Sequence, residues 1–275
     1  MIKTGSIHLS VRDAASGMQA YYAVPEGPGP HPGIVVATEI FGVNDHFTDI
    51  ARRLAASGYA AVVPDFYHRT SPGVSLPYDA SGREEGLRLT GLLTRDEVCL
   101  DVSAAMDFLS GGPSAGRKIG LLGFSSGAHI GYVAASRLPV AAAALFYGGW
   151  LTDDTIALGR PEPTVTLSEG IARQRGAVLF IVGGEDHLVK AADVDIIRHN
   201  LERAAVPHEV MVYPGVGHGF FCDQRPATFH PEASRDAANK VQGFFWQRLE
   251  MPGETAAERF PQVERRSVDP LVRNG

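Results

Sequence analysis

Cysteine is nearly absent: only Cys99 and Cys222 occur in 275 residues, and they form no CxxC ligand pair. A disulfide framework or a structural zinc site is therefore excluded as the organising device. Runs of one charge are missing too. Lys and Arg number 25 against 31 Asp and Glu, a formal net charge of −6 with no basic stretch. Such a chain lacks the electrostatic footprint of a nucleic-acid binder. No apolar run approaches the roughly 18 residues that a membrane span requires. The opening "MIKTGSIHLSVRDA" has neither the apolar core nor the small-residue cleavage site of a signal peptide. These absences predict a soluble, cytoplasmic protein that engages neither nucleic acid nor membrane. What is present is ordinary: 44% apolar and 20% charged residues, enough to bury a sizeable core.

Along the chain, short β-branched runs alternate with helical patterns. "IHLSV" and "MQAYYAV" predict an opening antiparallel pair before the Gly/Pro-rich turn "PEGPGPHPG". "GIVVAT", "KIGLLGF" and "AVLFIVGGED" predict buried strands, and "YAAVVPDF", "VAAAALFYGG" and "HEVMVYPG" further strands. Helices are expected in "FTDIARRLAASG", in "TRDEVCLDVSAAMDFLSGG" with a Thr-x-x-Glu capping box, and in "SGAHIGYVAAS". Others are expected around residues 168–174, in "AADVDIIRHNLERAA", and in the terminal "ASRDAANKVQGFFWQRLE". Residues 68–92, rich in Gly, Ser and Pro, are expected to form an irregular excursion at the sheet edge. Strands joined by crossover helices imply one domain, residues 1–250, built on a mostly parallel sheet with helices on both faces. Residues 251–275 are expected to be a polar C-terminal tail.

The chemistry starts at "KIGLLGFSSGAH". Gly-x-Ser-x-Gly between a buried strand and a helix of small residues has the form of a nucleophile elbow. It would thrust Ser125 out on a tight turn, with Gly123 and Gly127 leaving room for close backbone approaches. The backbone N–H of Ser126, next along, would help bind an oxyanion. A bare helix N-cap at Ser125 is the competing reading. Two later sites favour the nucleophile. Asp186 ends the strand "FIVGGED", and His218 follows the last strand in the glycine-rich "YPGVGHGF". A serine hydroxyl attacks only if an imidazole takes its proton, and a carboxylate must fix that imidazole's tautomer. The order Ser…Asp…His fits an α/β-hydrolase. The other histidines are expected to be surface or structural, with His129 buried against the sheet and His187 packing a loop. No histidine or carboxylate pair has metal-ligand spacing.

"ATEIFGVNDHFTDIARRLAASGYAAVVPDFYHR", "KIGLLGFSSGAH", "ALFYGG", "VGGEDHLV" and "GVGHGF", taken together and in order, resemble the dienelactone hydrolase family from about residue 18 to the terminal helix. The resemblance implies a single-domain α/β-hydrolase fold without cofactor, acting on small-molecule esters and lactones. The best-known members open dienelactone (carboxymethylenebutenolide) to maleylacetate. It further implies Ser125 as nucleophile, Asp186 as acid and His218 as base. Glu39 would touch the nucleophile, and the Ile40 N–H would be the second oxyanion donor.

This sequence departs from that pattern twice. The best-known members carry cysteine where Ser125 stands, which shifts the expectation toward ordinary ester hydrolysis. The resemblance also implies a substrate-binding arginine four residues after the histidine, where this chain has Cys222. Arg83, Arg88 and Arg225 are candidates to replace it, although an exposed surface position is the expectation for each. Phe41, Tyr67, Tyr78, Trp150 and Phe220 are candidates for the pocket wall, with core packing the alternative for each. Another serine acyl-transfer enzyme (a peptidase or acyltransferase) and a non-catalytic ligand receptor on the same fold remain open, as do monomer and homodimer.

Overall fold

A computed structural model describes residues 1–14 and 17–249; the expected tail, residues 251–275, lies outside them. Eight strands form one sheet: β1 (Ile2–Leu9), β2 (Met18–Pro25), β3 (Gly33–Ala37), β4 (Ala60–Pro64), β5 (Ile119–Phe124), β6 (Ala142–Phe146), β7 (Ala177–Gly183) and β8 (His208–Tyr213). Their spatial order is β1-β2-β4-β3-β5-β6-β7-β8. β1 pairs with β2, and β2 with β4, antiparallel; every pairing from β4 to β8 is parallel. The helices are α1 (Asp45–Ala56), α2 (Ala80–Thr90), α3 (Arg95–Ser110), α4 (Ser126–Arg137), α5 (Ser168–Arg173), α6 (Ala191–Arg203) and α7 (Pro231–Leu249). None of the helices among the described residues is long and apolar enough to cross a membrane.

The inner strands are apolar throughout because both faces are covered, and their side chains alternate between two cores. On one face, Val35, Leu121, Leu145 and Phe180 pack with Val98, Val133 and Ile197 from α3, α4 and α6. On the other, Ile34, Leu122, Phe146 and Leu179 pack with Phe47 and Ile50 of α1 and Val241 and Phe245 of α7. The Thr94–Glu97 capping box forms at the start of α3 as the sequence predicts.

The excursion at residues 68–92 is more ordered than expected. It contains α2, whose N-cap Asp79 accepts from the Gly82 N–H at 2.9 Å. Its sequence "ASGREEGLRLT" has two interior glycines, which argue against a helix by propensity. Packing explains them: a Cβ at Gly82 would strike the Pro77 carbonyl, and one at Gly86 the Ile40 carbonyl. Tight docking outweighs the helical cost of glycine.

The chain leaves β3 for β4 on one side and returns through β5 on the other. This reversal opens a crevice beyond the carboxyl ends of the strands, the general ligand position in open α/β sheets.

Candidate active site

Loops from the carboxyl ends of β3 to β8 meet at that crevice; β3 to β7 are buried along their length, and β8 is a partly exposed edge strand. Ser125 directly follows β5, with φ 52° and ψ −113° and no side-chain capping bond. A non-glycine residue in this region costs roughly 1–3 kcal/mol, so the neighbours must enforce it. They do: the Ser125 N–H donates to the Phe146 carbonyl at 2.9 Å. A Cβ at Gly127 would collide with the carbonyls of Ala37 and Thr38, and one at Gly123 with that of Gly127. The two glycines let α4 start directly against the end of β3. Ser125 is thus no conventional N-cap.

The Ser125 Oγ lies 3.0 Å from His218 Nε2, and His218 Nδ1 lies 2.8 Å from Asp186 Oδ2. Asp186 Oδ1 accepts from the N–H groups of Leu188 at 2.8 Å and Val189 at 3.0 Å, which fixes the carboxylate's orientation. Because that carboxylate can only accept, Nδ1 keeps its proton and donates to it, and the Nε2 lone pair faces the serine hydroxyl. All three residues are less than a tenth exposed. The rings of His187 and His218 meet edge to face at 5.8 Å, and His187 itself is exposed at the rim.

The turn after β3 supplies Glu39 and Ile40, both buried. The Tyr147 hydroxyl donates to Glu39 Oε1 at 3.0 Å, and Arg225 Nη1 reaches Glu39 Oε2 at 3.5 Å. Burial, reinforced by the Glu39 charge, holds the Tyr147 phenol well above its ordinary pKa, so it remains a donor. The N–H groups of Ile40 and Ser126 donate to no acceptor among the described residues. Buried N–H groups without partners are rare, and that of Ser126 also opens α4, where the helix dipole favours negative charge.

Of the expected wall residues, Phe41 and Tyr78 meet at 4.7 Å. Asn44 donates to the Tyr78 hydroxyl at 3.0 Å. Trp150 is half-buried, with its backbone at φ 58°. Tyr67 lies behind the Ile40 turn, donating to the Ile40 carbonyl. Phe220 is fully buried against Phe146, Tyr147 and Tyr213 and belongs to the core on the α1/α7 face. Its neighbour in the loop, Cys222, is also fully buried, and its thiol is pushed up to about 11 by burial and then by Glu39.

Arg225 differs from expectation. Arg83 and Arg88 are exposed, as the sequence suggests. Arg225 instead folds inward, its side chain 23% exposed, with the guanidinium 5.5 Å from the Phe41 ring and 5.7 Å from that of Tyr78. Glu39 and the two aromatic faces draw it in by charge and cation–π attraction. Tyr147 went unnoticed in the sequence as well. Its position immediately after a buried strand, in "ALFYGG", is the signal that could have found it. His129 is fully buried, with Nδ1 3.1 Å from the Gly149 carbonyl and Nε2 2.7 Å from Thr164 Oγ1. Among the described residues no group of three or more His, Cys, Asp or Glu side chains could hold a metal ion.

The dienelactone hydrolase family model matches residues 18–249. A Synechocystis protein named "Putative carboxymethylenebutenolidase" is 36% identical over 230 residues, spanning 83% of this chain and 91% of its own. An Escherichia coli K12 protein of the same name is 30% identical over 244 residues, spanning 87% and 83%. The crystal structure of a "Putative Dienelactone Hydrolase" from Klebsiella pneumoniae superposes with a TM-score of 0.80 at 26% identity, covering 90% of this chain and 99% of that one. With its matched span, its relatives and its eight-stranded sheet in accord, this chain belongs to the dienelactone hydrolase family and is a hydrolase of the α/β fold.

Proposed function

We propose that the protein hydrolyses small-molecule carboxylic esters or lactones through an acyl-enzyme on Ser125. Ser125 Oγ attacks the carbonyl carbon while His218 Nε2 takes its proton, and Asp186 stabilises the imidazolium. The N–H groups of Ser126 and Ile40 receive the developing oxyanion; losing such a donor costs on the order of 10²–10³ in rate. His218 returns the proton to the leaving oxygen as the C–O bond breaks. A water that His218 then deprotonates attacks the acyl carbon and releases the acid. The observation that carries this reading is the unbroken line from Ser125 Oγ through both nitrogens of His218 to Asp186, at 3.0 and 2.8 Å.

The substrate's charge follows from Arg225. Besides its packing on Phe41 and Tyr78, its side chain makes one 3.5 Å contact to Glu39, which leaves donors of its guanidinium for a second anion. This favours an acyl group or lactone bearing a carboxylate, and so a ring opening of the carboxymethylenebutenolide type, over purely neutral esters. Cys222 does not vacate that role; Arg225 fills it from further along the loop.

The test is Ser125→Ala assayed on p-nitrophenyl acetate and on a carboxylate-bearing lactone. A fall of about 10⁶ in kcat is expected, and about 10⁴ for Asp186→Asn. Near-full hydrolysis by Ser125→Ala would overturn the assignment.

A further inference from the structure

The turn after β3 is pinned through its carbonyls. The Glu39 carbonyl accepts from the Gly42 N–H at 3.3 Å and the Phe41 carbonyl from the Leu76 N–H at 2.9 Å. The middle carbonyl, that of Ile40, accepts from the Tyr67 hydroxyl at 3.1 Å. Tyr67 and Thr90 are in turn 2.7 Å apart through their hydroxyls. Each hydroxyl carries one proton. Once Tyr67 gives its own to Ile40, Thr90 must donate to Tyr67. The result is a one-directional line from Thr90 through Tyr67 to Ile40, with both side chains almost wholly buried.

The line is anchored well beyond what a wall residue needs. The Tyr67 N–H donates to Asp65 Oδ1 at 3.0 Å, and the same carboxylate holds the Gly73 N–H at 2.7 Å. The next two residues, His68 and Arg69, both bind the fully buried Asp101 of α3, at 3.0 and 2.8 Å. Opposite the phenol, Gly86 of α2 lies so close that a Cβ would strike the Ile40 carbonyl.

We propose that Tyr67, backed by Thr90, is a positioning residue for hydrolysis: by holding the Ile40 carbonyl it fixes the peptide after residue 40, and this, with the Glu39 carbonyl tied to the Gly42 N–H, stops the peptide between them from rotating and so keeps the aim of the Ile40 N–H. This rests on the reading of that N–H as the second oxyanion donor. A turn whose carbonyls at residues 39, 40 and 41 are all tied, and whose Ile40 N–H has no acceptor among the described residues, is preorganised to bind an anion, and preorganisation is what makes such donors effective. Tyr67 touches neither substrate nor reacting atoms. Its effect is confined to the transition state, where a misaimed donor loses most of its benefit.

The experiment compares Tyr67→Phe, Thr90→Val, Thr90→Ser and Ser125→Ala on p-nitrophenyl acetate, with rates taken per folded protein from circular dichroism. Affinity for an aryl trifluoromethyl ketone, which forms a tetrahedral oxyanion adduct, is measured alongside. Tyr67→Phe should lose roughly tenfold to a hundredfold in kcat with KM changed by less than about threefold. Affinity for the ketone should fall by the same factor as kcat/KM. Thr90→Val should lose less, and Thr90→Ser, which keeps the hydroxyl, should be near wild type. If Tyr67→Phe does not fold, the Thr90 pair decides: equal kcat and ketone affinity in Val and Ser variants overturns the inference. A merely structural Tyr67 would lower the melting temperature and leave kcat and ketone affinity intact, which also overturns it. Ser125→Ala separates the two levels. If that variant is dead while Tyr67→Phe is fully active, only this inference fails; if it remains active, the reading of the whole site fails and this one with it.

Discussion

Tyr147 donates to Glu39 at 3.0 Å, tying the turn after β6 to the turn after β3 across the strand that carries Ser125. The Tyr147 ring also stands edge-on to His218 at 4.9 Å. One side chain thus braces the buried carboxylate and the imidazole together. Tyr147→Phe keeps the ring and removes the hydroxyl, leaving Glu39, 2% exposed, with only its long contact to Arg225. Urea denaturation should report a loss of roughly 1.5–3 kcal/mol, the range for a hydrogen bond to a charged group. The fall in kcat should stay under about tenfold, because the ring still supports His218. No measurable stability loss would show that the bond contributes nothing.

Arg225 should decide between charged and neutral substrates. Arg225→Gln removes the cation and retains a donor. KM for a carboxylate-bearing lactone should rise roughly tenfold to a hundredfold, while p-nitrophenyl acetate changes by less than about threefold. Equal effects on both substrates would mean that Arg225 only supports Glu39.

The two thiols should be silent in the folded enzyme. Both are free and buried, and burial pushes each up to about 11. Reaction with a disulfide reagent requires accessible thiolate. Ellman's reagent at pH 8 should therefore titrate neither thiol in the native protein and both after denaturation, and iodoacetamide should leave activity unchanged. Rapid inactivation by iodoacetamide would place a reactive thiol at the site.

His129 predicts an acid-side loss of stability. Burial lowers its pKa from 6.5 to about 4, against a smaller raising effect from its backbone partners. Between those two values the unfolded chain binds a proton that the folded chain does not, so stability falls as the pH drops from 6.5 toward 4. Above 6.5 the group contributes no slope. The full effect is on the order of 3 kcal/mol. His129→Gln, which cannot titrate, should show a shallower decline over that window in urea titrations. An identical slope would mean that the imidazole takes up its proton alike in the folded and unfolded chains.

The fold was legible because its signals are local. The continuous apolar runs of "GIVVAT" and "AVLFIVGGED" and the capping box at Thr94 each lie within a few residues of the structure they specify. The positions of Ser125, Asp186 and His218 were legible for the same reason, since each stands past the end of a strand that its neighbours announce. α2 was missed because its two glycines serve distant carbonyls, those of Pro77 and Ile40, and locally they read as helix breakers. Arg225 was misplaced because nothing in "CDQRPATF" shows the aromatic rings that draw it inward.

By itself, then, the sequence determined which elements form, in what order, and which residue types stand at the strand ends, because periodicity and capping act over one or two turns of chain. Only the tertiary structure decided which of those ends meet. The contacts of Ser125 with His218, Tyr147 with Glu39 and Arg225 with Glu39 span 93, 108 and 186 residues. Partnerships at that range depend on the order of strands in the sheet and on the loops it gathers at one edge, and no local pattern encodes either.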